Sequence, residues 1–361
     1  MPEHSRGSYW QAGLENADWI EPDLGLTKDG HLVVNHNEWL GETTNIAEIP
    51  ELAHLRTSRS WMDNGRLVNI TAEWFIFDMT LEQVKKVRIR QDNRYPWRPK
   101  HFDDIFEVLT FEEYLQLMRN LTVDLGKPFG VIPELKSPKV YNQGRSYPRY
   151  FEDRAILTLN HYGWANITAN VNRTAHSDLK LSPLGDLPKG TVLGPSAWQS
   201  FDLDTAEYLA QHTDTPVVAL CEDLPWIFTP HGLDHLAGFA QIVSFWKDAF
   251  VAGAESLFRA RNVTWDAQEI RRMGGFIEPQ NLAREIHSRK MAFSPYTLYD
   301  SRQEMGYLCQ TQKESNSLVA CPRNRTEELL LFFSLGADYL FVENIPEVIN
   351  LRTKFDSCSD M

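Results

Sequence analysis

The chain has 361 residues, 42% hydrophobic and 24% charged, enough to bury the core of one large globular domain. Its net charge of −13 argues against nucleic acid, whose phosphates need Lys and Arg to replace their counterions, and against docking on an anionic membrane. No apolar run approaches the ~20 residues that span a bilayer, and the opening Met1-Pro2-Glu3-His4-Ser5-Arg6 carries no secretory apolar core.

Ser5 is placed to cap a helix whose apolar face is Tyr9, Ala12 and Leu14. Asn16 ends that helix, because asparagine tolerates the left-handed stop position. A strand follows in which Trp19, Glu21 and Asp23 share one face. Two carboxylates that close repel each other and are costly to desolvate unless a positive charge lies between them. A divalent cation meets that need, and oxygen ligands point to a hard ion, Ca²⁺ or Mg²⁺. A solvated Glu-x-Asp pair is the plainer alternative. Thr27-Lys28-Asp29-Gly30 supplies a turn, and Leu32–Asn35 returns to bring His36 near the carboxylates.

The stretch from Glu38 to about Lys127 is too long for one crossover. We read roughly 40–108 as a small insertion after the second strand, with helices over Leu81–Arg88 and Thr110–Leu121 and tryptophans at 39, 61, 74 and 97 that mostly pack inside. Phe129–Lys136 is the next strand; it places Glu134 and Lys136 on one face, Glu134 as a third oxygen ligand and Lys136 for a phosphate oxygen. Helices are expected over Arg149–Tyr162, Asp204–His212, Pro279–Arg289 and Thr326–Leu335. Strands are expected over Val192–Ser200, Pro216–Cys221, within Leu236–Val243, and over Met291–Tyr296 and Ala337–Val342. Apolar strands alternating with helices mean a parallel sheet covered by helices, an α/β fold. Seven strands are countable, so a (β/α)8 TIM barrel lacking its first strand fits. In such barrels Glu21, Asp23, Glu134 and Ser200 stand at the strands' C-terminal ends, where chemistry is done.

The run Ile20-Glu21-x-Asp23-Leu24-x-Leu26-Thr27-Lys28-Asp29-Gly30-x-Leu32-Val33-Val34-x-His36 resembles the signature of the glycerophosphodiester phosphodiesterase family, in its larger, periplasmic- or extracellular-type branch. Pro2-Glu3-His4-Ser5, Pro133-Glu134-Leu135-Lys136 and Gln199-Ser200-Phe201-Asp202 match it in order, so the likeness spans nearly all of residues 1–361. The resemblance implies hydrolysis of a small glycerophosphodiester to sn-glycerol 3-phosphate and an alcohol, with Ca²⁺ or Mg²⁺ held by Glu21, Asp23 and Glu134. The substrate's own hydroxyl attacks phosphorus, and His36 is assigned the general acid. The family's first strand, ending in His-Arg-Gly, has no match here, and we expect the sequence to be truncated at its N-terminus. Asn16, Asn37 and Glu343 stand where the family usually has Gly, Asp and Asp. The chief alternative is an inactive barrel that binds metal or phosphodiester without turnover; a venom phospholipase D-type lyase ranks lower, because that group lacks the long insertion.

Six Asn-x-Thr sequons, at Asn69, Asn120, Asn166, Asn172, Asn262 and Asn324, suggest a secreted glycoprotein, since chance gives about two. Of four cysteines, Cys309 and Cys321 could close a short disulfide loop, or all four could be free thiols.

Overall fold

In the computed structural model, which describes residues 1–63, 66–299 and 318–359, Ser5 caps helix α1 (Arg6–Leu14) and its hydroxyl accepts the Ser8 amide hydrogen at 3.0 Å. Asn16 takes the expected left-handed conformation, φ +70°. The chain then forms β1 (Trp19–Ile20) and β2 (Asp23–Leu26), with β3 (Leu32–Val34) returning antiparallel to β2 across a turn closed by Gly30 at φ +87°. The single strand expected here is split at Glu21-Pro22, because proline has no amide hydrogen to give a ladder.

The chain divides into two units, Met1–Thr215 and Pro216–Met361. In the first, β4 (Thr57–Asp63) and β5 (Arg66–Glu73) form an antiparallel hairpin within the expected insertion. Trp61 and Trp74 are buried there and Trp97 is exposed. Helix α2 (Leu81–Val84) stops well short of Arg88. Helix α3 (Phe111–Leu125) begins with a reciprocal cap: the Thr110 hydroxyl accepts the Glu113 amide hydrogen, and the Glu113 carboxylate accepts that of Thr110. Such caps stabilise by about 1 kcal/mol. Then come β6 (Gly130–Val131), β7 (Glu134–Leu135), α4 (Pro138–Tyr141), α5 (Tyr150–His161), β8 (Trp198–Ser200) and α6 (Leu203–His212). Pro133 divides β6 from β7 as Pro22 divides β1 from β2. The strand expected from Val192 is confined to its last three residues, and Val192 itself is 69% exposed.

Parallel pairing orders these strands. Trp19 lies opposite Gly130, Asp23 opposite Glu134, and Glu134 opposite Gln199. Gly130 is needed where it stands, since a Cβ there would come within 2.4 Å of the Trp19 ring. Leu24, Leu26, Val33, Tyr114 and Leu135 are fully buried around this register.

The second unit contains β9 (Val217–Cys221), α7 (Pro230–Leu236), β10 (Ile242–Phe245), α8 (Ala254–Ala260), α9 (Ala267–Arg272), α10 (Pro279–Ser288), β11 (Ala292–Phe293), α11 (Arg325–Ser334) and α12 (Ile345–Ser359). Strand β10 pairs in parallel with β9 and β11, and single bridges at Trp246–Tyr296 and Leu298–Val342 continue the pattern. The strand expected over Ala337–Val342 is thus one bridge. The strand sought within Leu236–Val243 begins at Ile242, because Leu236 still belongs to α7. Cys221 is a buried free thiol and Cys321 is disulfide-bonded; Cys309 lies outside the described residues, as does the side chain of Cys358. Among the described residues no helix is long and apolar enough to cross a membrane.

Candidate active site

The site lies wholly in the first unit, and strand register builds it. Because β2 and β7 are parallel neighbours, Asp23 and Glu134 emerge side by side, and Glu21 joins them two residues before Asp23. Asp23 and Glu134 are buried. The three carboxyl groups are near enough for the Asp23 charge to act on both Glu21 and Glu134. The Lys136 ammonium stands 3.2 Å from Glu134 Oε1. The five residues named from the sequence (Glu21, Asp23, His36, Glu134, Lys136) therefore converge on one cleft.

Burial and the Asp23 charge push the Glu21 carboxyl well above its ordinary 4.5. Burial first, then the Asp23 charge against the opposing pull of Lys136, does the same to Glu134. Asp23 goes the other way: burial would raise it, but Lys136 and a hydrogen bond from His4 outweigh burial and hold it well below the usual range. Lys136 stays above its ordinary value, because Asp23 and Glu134 outweigh the cost of burying its charge. Burial and the Asp23 charge thus favour the neutral form of Glu21 and Glu134, while Lys136 and His4 favour the charged form of Asp23. This donor set suits a divalent cation, which would favour the charged form of all three carboxyl groups.

Enclosure by protein and the nearby Lys136 ammonium push the His36 pKa well down, so its imidazole is neutral near pH 7. Its Nδ1 lies 3.5 Å from Glu3 Oε1, so Glu3 supplies the carboxylate neighbour that Asn37 does not. The Asn37 amide instead donates to Glu42 at 2.7 Å.

Sequence reasoning missed two further groups. His4 donates from Nε2 to Asp23 Oδ2 at 3.0 Å, and its ring centroid is 6.2 Å from that of His36. Pro-Glu-His-Ser was recognised only as a motif and a helix start; the left-handed backbone at His4, φ +53°, turns the ring into the cleft. The donor atoms of His4, Glu21 and Asp23 all lie within 4.8 Å of one another. Gln199 Nε2 donates to Glu21 Oε1 at 3.0 Å. Ser200, expected at the reactive end of its strand, turns its hydroxyl away to the Leu135 carbonyl at 2.9 Å, and strand alternation gives the cleft to Gln199.

The pH dependence of the ion-free protein follows from these shifts. Glu21 and Glu134, raised in the fold, stabilise it below about pH 4.5 and lose that contribution as pH climbs through their folded values. Asp23, depressed, contributes above its ordinary 3.8 and loses its share only as pH falls. Ion-free protein should therefore lose stability from about pH 5 upward, and added Ca²⁺ or Mg²⁺ should restore it with a thermal shift that grows toward pH 8. Thermal unfolding with and without chelator checks this; a shift independent of pH would contradict it.

A sequence model of the Glycerophosphoryl diester phosphodiesterase family matches residues 1–175. A glycerophosphodiester phosphodiesterase of Arabidopsis thaliana is 26% identical over 316 residues, covering 84% of this chain and 72% of that protein. One from Bacillus subtilis is 53% identical over 145 residues, 39% of this chain and 38% of that protein. The chain thus spans well under two thirds of some relatives. Among solved structures, a Silicibacter pomeroyi protein carrying the same family name aligns over 99% of this chain and 90% of its own, with a TM-score of 0.58 and 14% identity. A phosphodiesterase of Oleispira antarctica, in complex with the product sn-glycerol-3-phosphate, covers 98% and 92% with a TM-score of 0.51 and 12% identity. These likenesses bear out the α/β fold of the (β/α)8 type. The chain is thus similar to the glycerophosphoryl diester phosphodiesterase family in sequence over residues 1–175 and shares its fold with solved structures that carry that name.

Proposed function

We propose that this chain hydrolyses glycerophosphodiesters to sn-glycerol 3-phosphate and an alcohol, with one divalent cation held by Glu21, Asp23 and Glu134. The observation that carries the proposal is the convergence of three interacting carboxyl groups, an ammonium and a neutral imidazole on one cleft. Relatives bearing the phosphodiesterase name, and the neighbouring structure bound to sn-glycerol-3-phosphate, support the substrate class. When bound, the cation neutralises charge developing on the phosphoryl group. Lys136, released from Glu134, donates to a phosphoryl oxygen. His36, neutral at the outset, takes the proton from the substrate hydroxyl that attacks phosphorus. It then gives that proton to the departing alcohol oxygen as the P–O bond breaks, the general-acid part assigned from the sequence. Water opens the cyclic phosphate that remains. Gln199 steadies Glu21 throughout.

Purified chain with glycerophosphocholine and Ca²⁺ or Mg²⁺ should release glycerol 3-phosphate, and chelator should stop it. An ion-binding chain without release under either ion would favour the rival reading, a scaffold that binds without turnover.

The extracellular-type branch and a secretory route belong to the same proposal. All six sequon asparagines are exposed, which supports glycan attachment. Expression in a eukaryotic secretory host should give a mass that falls on glycosidase treatment; an unchanged mass would count against it.

A further inference from the structure

We propose that His4 is itself a ligand of the cation, through Nε2, and that the site consequently takes a nitrogen-tolerant ion such as Mn²⁺ or Zn²⁺ in preference to Ca²⁺. The inference rests on the carboxylate site just described and adds a donor to it.

Spacing comes first. His4 Nε2 is 3.0 Å from Asp23 Oδ2, and both lie within 4.8 Å of a Glu21 oxygen. Two donors each about 2.1–2.4 Å from one ion stand about 3 Å apart for angles near 90° at the ion, so His4 and Asp23 are spaced to share one.

The ring is also held as a ligand would be. The His4 side chain is 10% exposed, and Nδ1 meets the buried Tyr9 hydroxyl at 2.8 Å. Metal-binding imidazoles commonly have such a partner on the second nitrogen, which fixes the ring's orientation. Tyr9 is fixed in turn: its ring packs on Tyr114 at 4.9 Å, and the Tyr114 hydroxyl donates to the Ile20 carbonyl at 2.7 Å. A left-handed histidine backbone persists only when its surroundings impose it, and here they aim the ring at Asp23.

An independent observation lies beside Glu21. Gln199 is 1% exposed, its Nε2 is engaged with Glu21 and the Ile132 carbonyl, and its Oε1 has no hydrogen-bond partner. A buried acceptor left over next to the proposed ligands suits a water carried by the ion. A proton-carrying role fits His4 less well, because Tyr9 and Asp23 occupy both ring nitrogens. On ligation the ring proton passes from Nε2 by way of solvent to Nδ1, which then donates to the Tyr9 hydroxyl oxygen. Imidazole suits Zn²⁺, and Mn²⁺, though it too takes oxygen ligands, accepts a nitrogen more readily than the larger, oxygen-seeking Ca²⁺.

The test is pulsed electron paramagnetic resonance on the full chain, stripped with chelator and loaded with Mn²⁺, read for coupling to ¹⁴N. Wild type and His36→Asn should show nitrogen coupling, and His4→Asn should lose it. The same His4→Asn variant should bind Mn²⁺ at least about tenfold more weakly, while Ca²⁺ affinity moves less than about threefold. If His4→Asn does not fold, His4→Gln takes its place. Bound Mn²⁺ without nitrogen coupling, or coupling that survives loss of His4, overturns the inference and leaves the carboxylate site standing. Failure of wild type to bind Mn²⁺, Ca²⁺ or Mg²⁺ overturns both.

Discussion

Asp23→Asn is expected to lower turnover by about 10³-fold or more and to abolish tight binding of a divalent cation. Asp23 is the one carboxylate of the three held well below its ordinary range, and its charge acts on both Glu21 and Glu134. Asparagine keeps the shape but removes the charge, leaving an ion with two carboxyl groups that prefer their protons. A catalytic cation contributes several kcal/mol, and about 4 kcal/mol corresponds to about 10³ in rate. The fold should survive, since the amide oxygen can still accept from His4. Steady-state kinetics and calorimetric titration with Mg²⁺ measure both effects. A loss below about tenfold, with ion affinity intact, would remove Asp23 from the ligand set.

His36→Ala should cost about 10²–10⁴-fold in kcat, the usual worth of a positioned acid–base group. Ion affinity should hold, because His36 lies against Glu3, at 3.5 Å, and Glu3 is not a proposed ligand. KM should change little for the same reason. The informative comparison is between leaving groups. An alkyl alcohol needs a proton as it departs, whereas an aryl alcohol of low pKa does not. The variant should therefore lose far more activity on glycerophosphocholine than on an aryl phosphodiester. Equal losses on the two would mean that His36 serves the attack on phosphorus and carries no proton to the leaving oxygen.

The carboxylates were legible from the sequence because strand alternation is a local rule. Glu-x-Asp before a turn, and Glu-x-Lys after an apolar run, specify which side chains share a face wherever the strands end up. Register placed Asp23 opposite Glu134, and only the likeness of motifs along the chain linked those two stretches beforehand. Prolines 22 and 133 cut both strands in two without moving the acidic residues off their face. His4 and Gln199 were not legible in the same way. His4 reaches the cleft through a left-handed backbone just ahead of a capped helix, a conformation that periodicity does not encode. For Gln-Ser-Phe-Asp, alternation allowed two answers, and the Ser200 bond to the Leu135 carbonyl decides between them. Glu3 escaped because its role depends on a contact across the cleft to His36. In the second unit, the strand expected at Ala337–Val342 shrank to a bridge because a short apolar run does not distinguish a full ladder from a single pairing.

Anomalous diffraction from crystals soaked in Mn²⁺ reaches the central claim most directly. A single peak is expected with oxygens of Glu21, Asp23 and Glu134 about 2.1–2.4 Å away. A cleft without a peak, or a peak that one of those three carboxylates does not touch, would contradict it.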